Sequence, residues 1–162
     1  MRATFVTVAG YGYDAKRGLL VVQRDHEGSD EEYATFLERI AALDRDAAVA
    51  GVAPVFVIVL STESPAPNAH WRRKFAEAAS SAVCPNTFGA IVTDSAVQRG
   101  VLNAIGWLQP YQRGHALAFK SFAQAVNAAE KHREEALPEL RTLLHAAQED
   151  LVERRGVAHP GA

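Results

Sequence analysis

Cysteine is nearly missing from this chain, and so is an excess of charge of either sign. Cys84 is the single cysteine among 162 residues, which excludes an intramolecular disulfide and a metal site built from thiolates. Lysine and arginine together number 17 against 19 acidic residues, so the formal net charge is −2. A value so close to neutrality gives no electrostatic reason to expect a nucleic acid or an anionic membrane as the partner.

Long hydrophobic segments are missing too. The longest apolar run is far shorter than the ~20 residues that a transmembrane helix needs. Met1-Arg2 leads directly into strand-like residues, without the apolar core of a signal peptide. The composition, with 48% hydrophobic and 22% charged residues, is typical of a globular domain. We therefore expect a cytoplasmic protein that does not insert into a membrane.

Signatures of catalysis and cofactor binding are missing as well. Gly10-Tyr-Gly12 lacks the third glycine of a dinucleotide-binding loop, and no P-loop lysine follows a glycine-rich loop. There is no Gly-x-Ser-x-Gly elbow, and Cys84 lies before a proline at the apolar end of a helix, where a structural thiol is the simpler interpretation. The sequence predicts no enzyme, no catalytic residue, no cofactor and no metal site. The histidines show no ligand-pair spacing: His26, His70, His115, His132, His145 and His159.

The most informative segment that is present is the run Pro54–Ser61. It is an uninterrupted apolar stretch, rich in β-branched residues, with the length of a strand rather than a helix. A strand that is apolar on both of its faces must be covered on both sides. This pattern is typical of a central strand in a largely parallel sheet.

Further strands precede and follow this run. Thr4–Val8 and Gly18–Arg24 have strand patterns, and the turn-rich segment that runs from Gly10 through Asp14 to Gly18 predicts a hairpin. Thr87–Thr93 and Gly114–Lys120 have strand patterns later in the chain. The sequence therefore predicts a sheet of five strands.

Helices with an apolar face separate these strands. In the third helix we expect Val97, Val101 and Leu102 to face the sheet. Glu31 and Glu32 stand in the first turn of the first helix, where the helix dipole favours their charges. The order ββαβαβαβα predicts an α/β fold with a mixed, mostly parallel five-stranded sheet and helices on both faces. Four helices begin at capping residues: Ser29, Asn68, Ser95 and Ser121.

The C-terminal segment has a different character. Pro138 interrupts or restarts the final helix, and a second apolar stripe follows it. The stripe fits packing on its own domain, which is the simpler interpretation, and it also fits a coiled-coil or helix-in-groove contact with a partner. We predict an α/β domain over residues 1–133, then an amphipathic helix and a frayed tail over residues 134–162. The stripe consists of Leu140, Leu143, Leu144, Ala147 and Leu151.

Several segments carry a resemblance to a known family. They are the apolar strand Phe56–Leu60, the arginine-bearing helix start Trp71–Phe75, the strand Phe88–Asp94 with Arg99 beyond it, and the helix start Phe122–Val126. With the element order, they make residues 1–132 resemble the STAS-like domains related to bacterial anti-sigma-factor antagonists. The resemblance implies a non-enzymatic regulatory module that binds a protein partner or forms a homodimer.

The resemblance also draws attention to the loop after the central strand. In the antagonist proteins, a phosphorylatable serine begins the helix at this place. Here the connection Leu60–Asn68 is longer and is broken by prolines, and its candidate phosphorylation sites are Ser61, Thr62 and Ser64. A phosphate near the following helix N-terminus is electrostatically tolerable, although turn formation and capping are the simpler roles for these hydroxyls.

The carboxyl ends of the strands define the candidate binding site, because ligands of open α/β sheets bind there. Backbone donors at helix starts together with arginines suit an anion or an acidic peptide, whereas capping and a solvated arginine face need no ligand. Two functions stay open. One is a protein-interaction module, and the other is a small-molecule domain or weak enzyme that holds an anionic or lipid-like ligand. The candidate residues are Ser61, Thr62, Glu63, Asn68, His70, Arg72, Arg73, Asp94 and Arg99.

Overall fold

Strands and helices alternate in the structure, a computed structural model that describes residues 9–25, 29–61, 67–107 and 117–158. The strands are β1 (Ala9–Asp14), β2 (Leu19–Arg24), β3 (Val55–Leu60), β4 (Phe88–Val92) and β5 (Ala118–Phe119). The helices are α1 (Asp30–Ala50), α2 (Ala69–Ser80), α3 (Ala96–Trp107), α4 (Phe122–Arg133) and α5 (Glu139–Ala158). None of the helices in these described residues is long and apolar enough to cross a membrane.

The strands form one mixed sheet in the order β1-β2-β3-β4-β5. β1 pairs with β2 in antiparallel orientation, and every other pair is parallel. The α/β fold class and the hairpin predicted from the sequence are confirmed. Because β2 to β5 are parallel, their carboxyl ends meet at one edge of the sheet, which α1 to α4 approach with their N-termini.

β3 is the central strand, and both of its faces are covered as its pattern predicted. Val55 and Val57 are fully buried against residues of α4 and α5. Phe56 and Ile58 point to the other face, where they pack with Leu43 of α1. Each such side chain contributes about 1.5–3 kcal/mol to the free energy of unfolding when it is fully buried, which explains why this run dominates the sequence pattern.

The position of the first strand differs from the prediction. Gly10–Asp14, expected to be a turn, forms most of β1, and the turn lies at residues 15–18, where Gly18 has a φ of 64°. The predicted strand Thr4–Val8 lies outside the described residues. The glycines serve packing instead of a turn, because a Cβ on Gly10 would overlap the carbonyl oxygen of Ala147 in α5.

The C-terminal stripe packs on its own chain. Helix α5 crosses β1 and β2 and buries Leu140 and Ala147 completely and Leu151 almost completely, while Leu143 and Leu144 pack at the rim of the same core. Pro138 separates α4 from α5 as predicted, and α5 stays helical to Ala158. The division of the chain at residue 134 remains a prediction about independent folding, and this packing argues against it.

Helix α3 is less buried than its pattern predicted. Val97 is 77% exposed and Val101 is 50% exposed, although both were expected to face the sheet. The reason is that α3 packs mainly against β5, which spans two residues where a seven-residue strand was predicted. Residues 114–116 of that predicted strand lie outside the described residues. A short edge strand offers little surface for a helix to cover.

Candidate functional site

The predicted site begins at the end of β3, where the structure describes only part of it. Ser61 is half-buried directly after the strand, and its backbone N–H donates to the carbonyl oxygen of Arg24 at 3.2 Å. Thr62, Glu63 and Ser64 lie outside the described residues. The placement of these three candidates, two of them candidate phosphorylation sites, therefore stays a sequence prediction.

The start of α2 holds a second part of the predicted set. Asn68 is the N-cap, and its side-chain oxygen accepts from the backbone N–H of Trp71 at 3.1 Å. Trp71 is buried, whereas the basic residues around it are exposed. We call His70, Arg72, Arg73 and Lys74 the α2 basic cluster.

The third part of the predicted set lies at the start of α3. Asp94 is exposed after β4, and the Nη1 of Arg99 donates to the carbonyl oxygen of Thr93 at 2.8 Å. The Thr93 hydroxyl is buried and donates to Gln98 at 2.7 Å, and Ser95 caps α3 by accepting from the N–H of Gln98 at 3.2 Å. Arg99 thus secures a helix start, while the arginines of α2 point to solvent. The predicted residues at the start of α2 and those at the start of α3 therefore have different surroundings.

An aromatic contact joins the N-termini of α1 and α2. The indole N–H of Trp71 donates to Oδ1 of Asp30 at 2.7 Å. The rings of Trp71 and Tyr33 lie 5.2 Å apart between centroids, and Phe75 packs on both of them. The start of α2, with its basic cluster, is therefore held by the first turn of α1.

A group of polar side chains beside this contact was not predicted from the sequence. We call Tyr11, Arg24, Glu32 and Tyr33 the Glu32 cluster. The Nη2 of Arg24 donates to the hydroxyl of Tyr33 at 2.7 Å, and its guanidinium lies 4.5 Å from the centre of the Tyr33 ring. Among the described residues, four buried polar atoms of this cluster lack a hydrogen bond of good geometry: the Tyr11 hydroxyl, Nε of Arg24 and both carboxyl oxygens of Glu32, on which the Ser29 backbone N–H acts as a donor.

Glu32 carries the carboxyl group of this cluster, and its pKa lies well above the ordinary value. Burial raises its pKa to about 7. The Arg24 charge and the Ser29 backbone N–H lower the pKa, but burial outweighs both. From the sequence alone, the helix dipole is predicted to favour the charge of Glu32. That dipole acts on a side chain whose oxygens are closed to water, and desolvation is the larger effect.

Tyr11 closes the cluster from the side of β1. It is 9% exposed, and burial together with the nearby Glu32 carboxyl raises the pKa of its hydroxyl. The guanidinium groups of Arg39 and Arg154 lie 4.9 and 5.4 Å from its ring centre. Its backbone N–H donates to Asp150 of α5 at 2.9 Å, which satisfies a donor on the outer edge of the sheet.

The sequence carried a weak signal for this cluster. Arg24 is a charged residue that directly continues the apolar strand Leu19–Val22, and Glu32 stands three residues after a cap. Neither feature predicts contact with Tyr11, because that contact depends on β1 pairing with β2 beneath α1. The tertiary fold was needed to bring them together.

Cys84 and a groove lie at the opposite end of the sheet. Both carboxylate oxygens of Asp44 accept backbone N–H groups, one from Val83 at 2.8 Å and one from Cys84 at 2.9 Å. Burial and this Asp44 contact raise the pKa of the Cys84 thiol, which disfavours the nucleophilic thiolate. A groove of about 550 Å³ lies near the amino end of β3 and includes His132, whose Nε2 lies 2.8 Å from the carbonyl oxygen of Asn86.

The chemistry of the described residues and the comparisons with known proteins leave function to be inferred from the site. Among these described segments no group of three or more His, Cys, Asp or Glu side chains is placed to hold a metal ion. Comparison of the chain with protein-family models, with curated proteins and with solved structures gives no match. The surface of α2 and the Glu32 cluster are the features on which a function can be argued.

Proposed function

We propose that this protein is a non-enzymatic, cytoplasmic regulatory module of the STAS-like type. It binds a protein partner with an acidic surface through the α2 basic cluster. The sequence resemblance and the position of this cluster beside the carboxyl ends of the strands support the proposal.

The observation that carries the proposal is a concentration of positive charge where a helix disfavours it. Arg72, Arg73 and Lys74 follow the first turn of α2, and that turn contains no acidic residue. Arg72 is the nearest of the three to the helix N-terminus, where an exposed positive charge opposes the helix dipole at a cost of about 0.3–1 kcal/mol, and this effect falls off beyond the first turn. In the part of the chain that is described, none of the three forms an ion pair. Neither the helix dipole nor an ion pair among the described residues stabilises the cluster, and this supports a role in binding.

Charge complementarity supports a partner with an acidic surface. The chain as a whole carries a net charge of −2, so the positive potential is local and not a general attraction to polyanions. Arginine guanidinium groups form paired hydrogen bonds with carboxylates, which gives an acidic protein surface both affinity and orientation. The alternative of a small anionic ligand at the strand ends has less support, because Arg99 already donates to Thr93.

Native mass spectrometry of protein purified gently from its host tests this function. We expect a second, acidic polypeptide on the wild-type protein and its loss from the Arg72→Glu/Arg73→Glu double variant. Arg141→Glu reverses an exposed arginine on α5 and is the matched control, with the partner retained.

Other occupants give other masses in the same experiment. A homodimer that survives the double substitution, or a bound small molecule without a second polypeptide, contradicts an acidic partner on α2. Equal loss of the partner in Arg141→Glu shows that total charge governs binding, and it also contradicts the proposal.

A further inference from the structure

In the Glu32 cluster, two side chains compete for the hydrogen-bond donors of Arg24: the Tyr33 hydroxyl and the Glu32 carboxyl. Arg24 donates through Nη2 to the Tyr33 hydroxyl, while its Nε is buried without a hydrogen-bond partner in the described part of the chain. Both carboxyl oxygens of Glu32 are buried, and among the described residues the Ser29 backbone N–H is the donor that acts on them, although Arg24 is close enough to act on the Glu32 charge. Arg24 is therefore bonded to Tyr33 and not to the carboxyl beside it.

This arrangement suits a neutral carboxyl and not an ionised one. A buried carboxylate without a hydrogen bond is costly, and a nearby guanidinium is the strongest partner available to it. Unpaired buried polar atoms in a native structure call for an explanation, and a group that changes its charge is one. When Glu32 releases its proton to solvent, the lowest-energy response is for Arg24 to move its donors from Tyr33 to Glu32.

We propose that Glu32 is a proton-controlled switch which, once ionised, draws Arg24 away from Tyr33 and so loosens the start of α2 with its basic cluster. The inference rests on the proposed function, because the surface that it regulates is the α2 basic cluster.

The contacts for this coupling form a continuous path. Tyr33 stacks against Trp71, and the Trp71 indole is bonded to Asp30 in the same first turn of α1 that carries Glu32. Arg72 and Arg73 follow Trp71 in sequence. A change in the position of the Tyr33 ring is therefore transmitted to the residue that anchors the basic cluster. The two partners of Arg24 supply the two discrete arrangements that such coupling requires.

Other charged groups around the cluster influence the pH range in which the switch works. The Tyr11 hydroxyl faces Glu32 from β1, Arg39 lies over the Tyr11 ring from α1, and Arg154 approaches from α5, where Asp150 holds it at 3.0 Å. From α2, His70 contacts the Trp71 ring edge-on, with centroids 5.2 Å apart. Burial raises the pKa of Glu32 to about 7, so the switch changes state near neutral pH. Below that pH, Arg24 holds Tyr33 and α2 is ordered for binding.

NMR of the full-length protein between pH 5.5 and 8.5 tests the switch directly. The Glu32 carboxyl carbon and the Trp71 indole N–H are followed in the wild type and in Glu32→Gln, with Trp71→Phe identifying the indole signal. We expect both signals to move with one midpoint near pH 7 in the wild type. In Glu32→Gln, which keeps every histidine, the indole signal should stay close to its low-pH position.

Two further variants keep the test independent of any one substitution. Tyr33→Phe removes the acceptor of Arg24, so Glu32 should still titrate while the Trp71 signal no longer follows it. Glu31→Gln changes the exposed neighbour of Glu32 and should behave as wild type. An indole signal that follows pH equally in the wild type and in Glu32→Gln overturns the inference.

A binding measurement separates this inference from the proposed function. The probe is a deca-glutamate peptide, and we expect its affinity to fall about fivefold from pH 6 to pH 8 in the wild type, at the lower end of usual coupling strengths. In Glu32→Gln, the peptide affinity should not show the part of this decrease that the ionisation of Glu32 causes. Peptide binding with an indole signal that ignores Glu32 overturns the switch and leaves the proposed function standing. A switching indole signal without peptide binding supports the structural switch and contradicts the basic cluster as a docking surface.

Discussion

The Glu32 side chain is subject to two opposing electrostatic influences. Its place in the first turn of α1 and the Arg24 charge favour the carboxylate, whereas burial favours the neutral acid. Burial dominates and raises the pKa of Glu32 from 4.5 to about 7. The folded protein consequently binds this proton more tightly than the unfolded chain does.

The stability of the protein should therefore depend on pH through Glu32. Because the folded pKa lies above the unfolded value, the contribution to the free energy of unfolding is fully present below about pH 4.5 and is lost as pH rises to about 7. A shift of this size corresponds to at most about 3 kcal/mol, and the partial exposure of the side chain reduces it to about 1 kcal/mol.

Glu32→Gln should remove this dependence. We expect urea unfolding at pH 8 to show a variant more stable than the wild type by about 1 kcal/mol, with little difference at pH 4.5. Glu31→Gln, at the exposed neighbouring position, should change stability by less than about 0.5 kcal/mol at either pH. A Glu32→Gln protein that is less stable than the wild type at pH 8 contradicts the assignment of a neutral, buried carboxyl.

At the level of elements, β1 and α5 show a packing that depends on glycine. Gly10 and Gly12 lie on the face of β1 that α5 covers, and any side chain there meets the helix backbone. Both glycines lack the positive φ that explains Gly18 in the turn, so the close approach of the helix is what requires them. The neighbouring side chains Tyr11 and Tyr13 point to the opposite face, toward α1.

Gly12→Ala should push α5 away from the sheet. A Cβ at this position would overlap the carbonyl group of Leu143, which is backbone and cannot turn aside. We expect a loss of about 1–3 kcal/mol in thermal or urea unfolding, as for other overpacked cores.

The matched control is Gly100→Ala in α3, where the added Cβ meets no tertiary neighbour within 4 Å among the described residues. This substitution should stabilise the protein by about 0.5–1 kcal/mol, because alanine is the better helix former. Equal effects at the two glycines would show that α5 does not sit against β1 as described.

Considered as a whole molecule, the chain is one α/β core to which its last helix belongs. Leu137, Leu140 and Ala147 are completely buried in the same cluster as β2 to β4. Arg133 strengthens the junction by donating to the carbonyl oxygens of Arg17 and Ala53 at 2.8 and 2.9 Å. Removing α5 would expose one face of the β1–β2 hairpin.

Truncation after Arg133 should therefore abolish cooperative folding. Circular dichroism and solubility measure the outcome, and we expect an insoluble chain or one without a cooperative thermal transition. Deletion of residues 159–162 alone is the control, because it leaves α5 complete. A truncated protein with a cooperative transition would support the domain boundary that the sequence predicted at residue 134.

The sequence predicts the sheet well because β3 carries its pattern within one segment. The strand that is apolar on both faces can be recognised from consecutive residues, and the structure confirms it. The same holds for the helix N-caps Ser29, Asn68 and Ser121. Gly10–Asp14 was wrongly predicted to be a turn, because the reason for its glycines is the distant backbone of α5.

Other features depended on tertiary structure in the same way. The burial of α3 was overestimated because a helical pattern does not reveal how short the strand beneath it is. The Glu32 cluster could not be predicted because Tyr11, Arg24 and Glu32 come from three elements. By contrast, the exposed cations of α2 follow directly from consecutive residues.

The measurement that tests the account most directly is a titration of ¹⁵N-labelled protein with a deca-glutamate peptide at pH 6, followed by amide chemical shifts. We expect the peptide to cause its largest amide shifts at residues 69–75, at the start of α2, and these shifts to disappear in the Arg72→Glu/Arg73→Glu variant. A deca-glutamine peptide of equal length should cause no such shifts. Shifts centred on the groove beside Asn86 and His132, or none on α2, would contradict an acid-binding surface there.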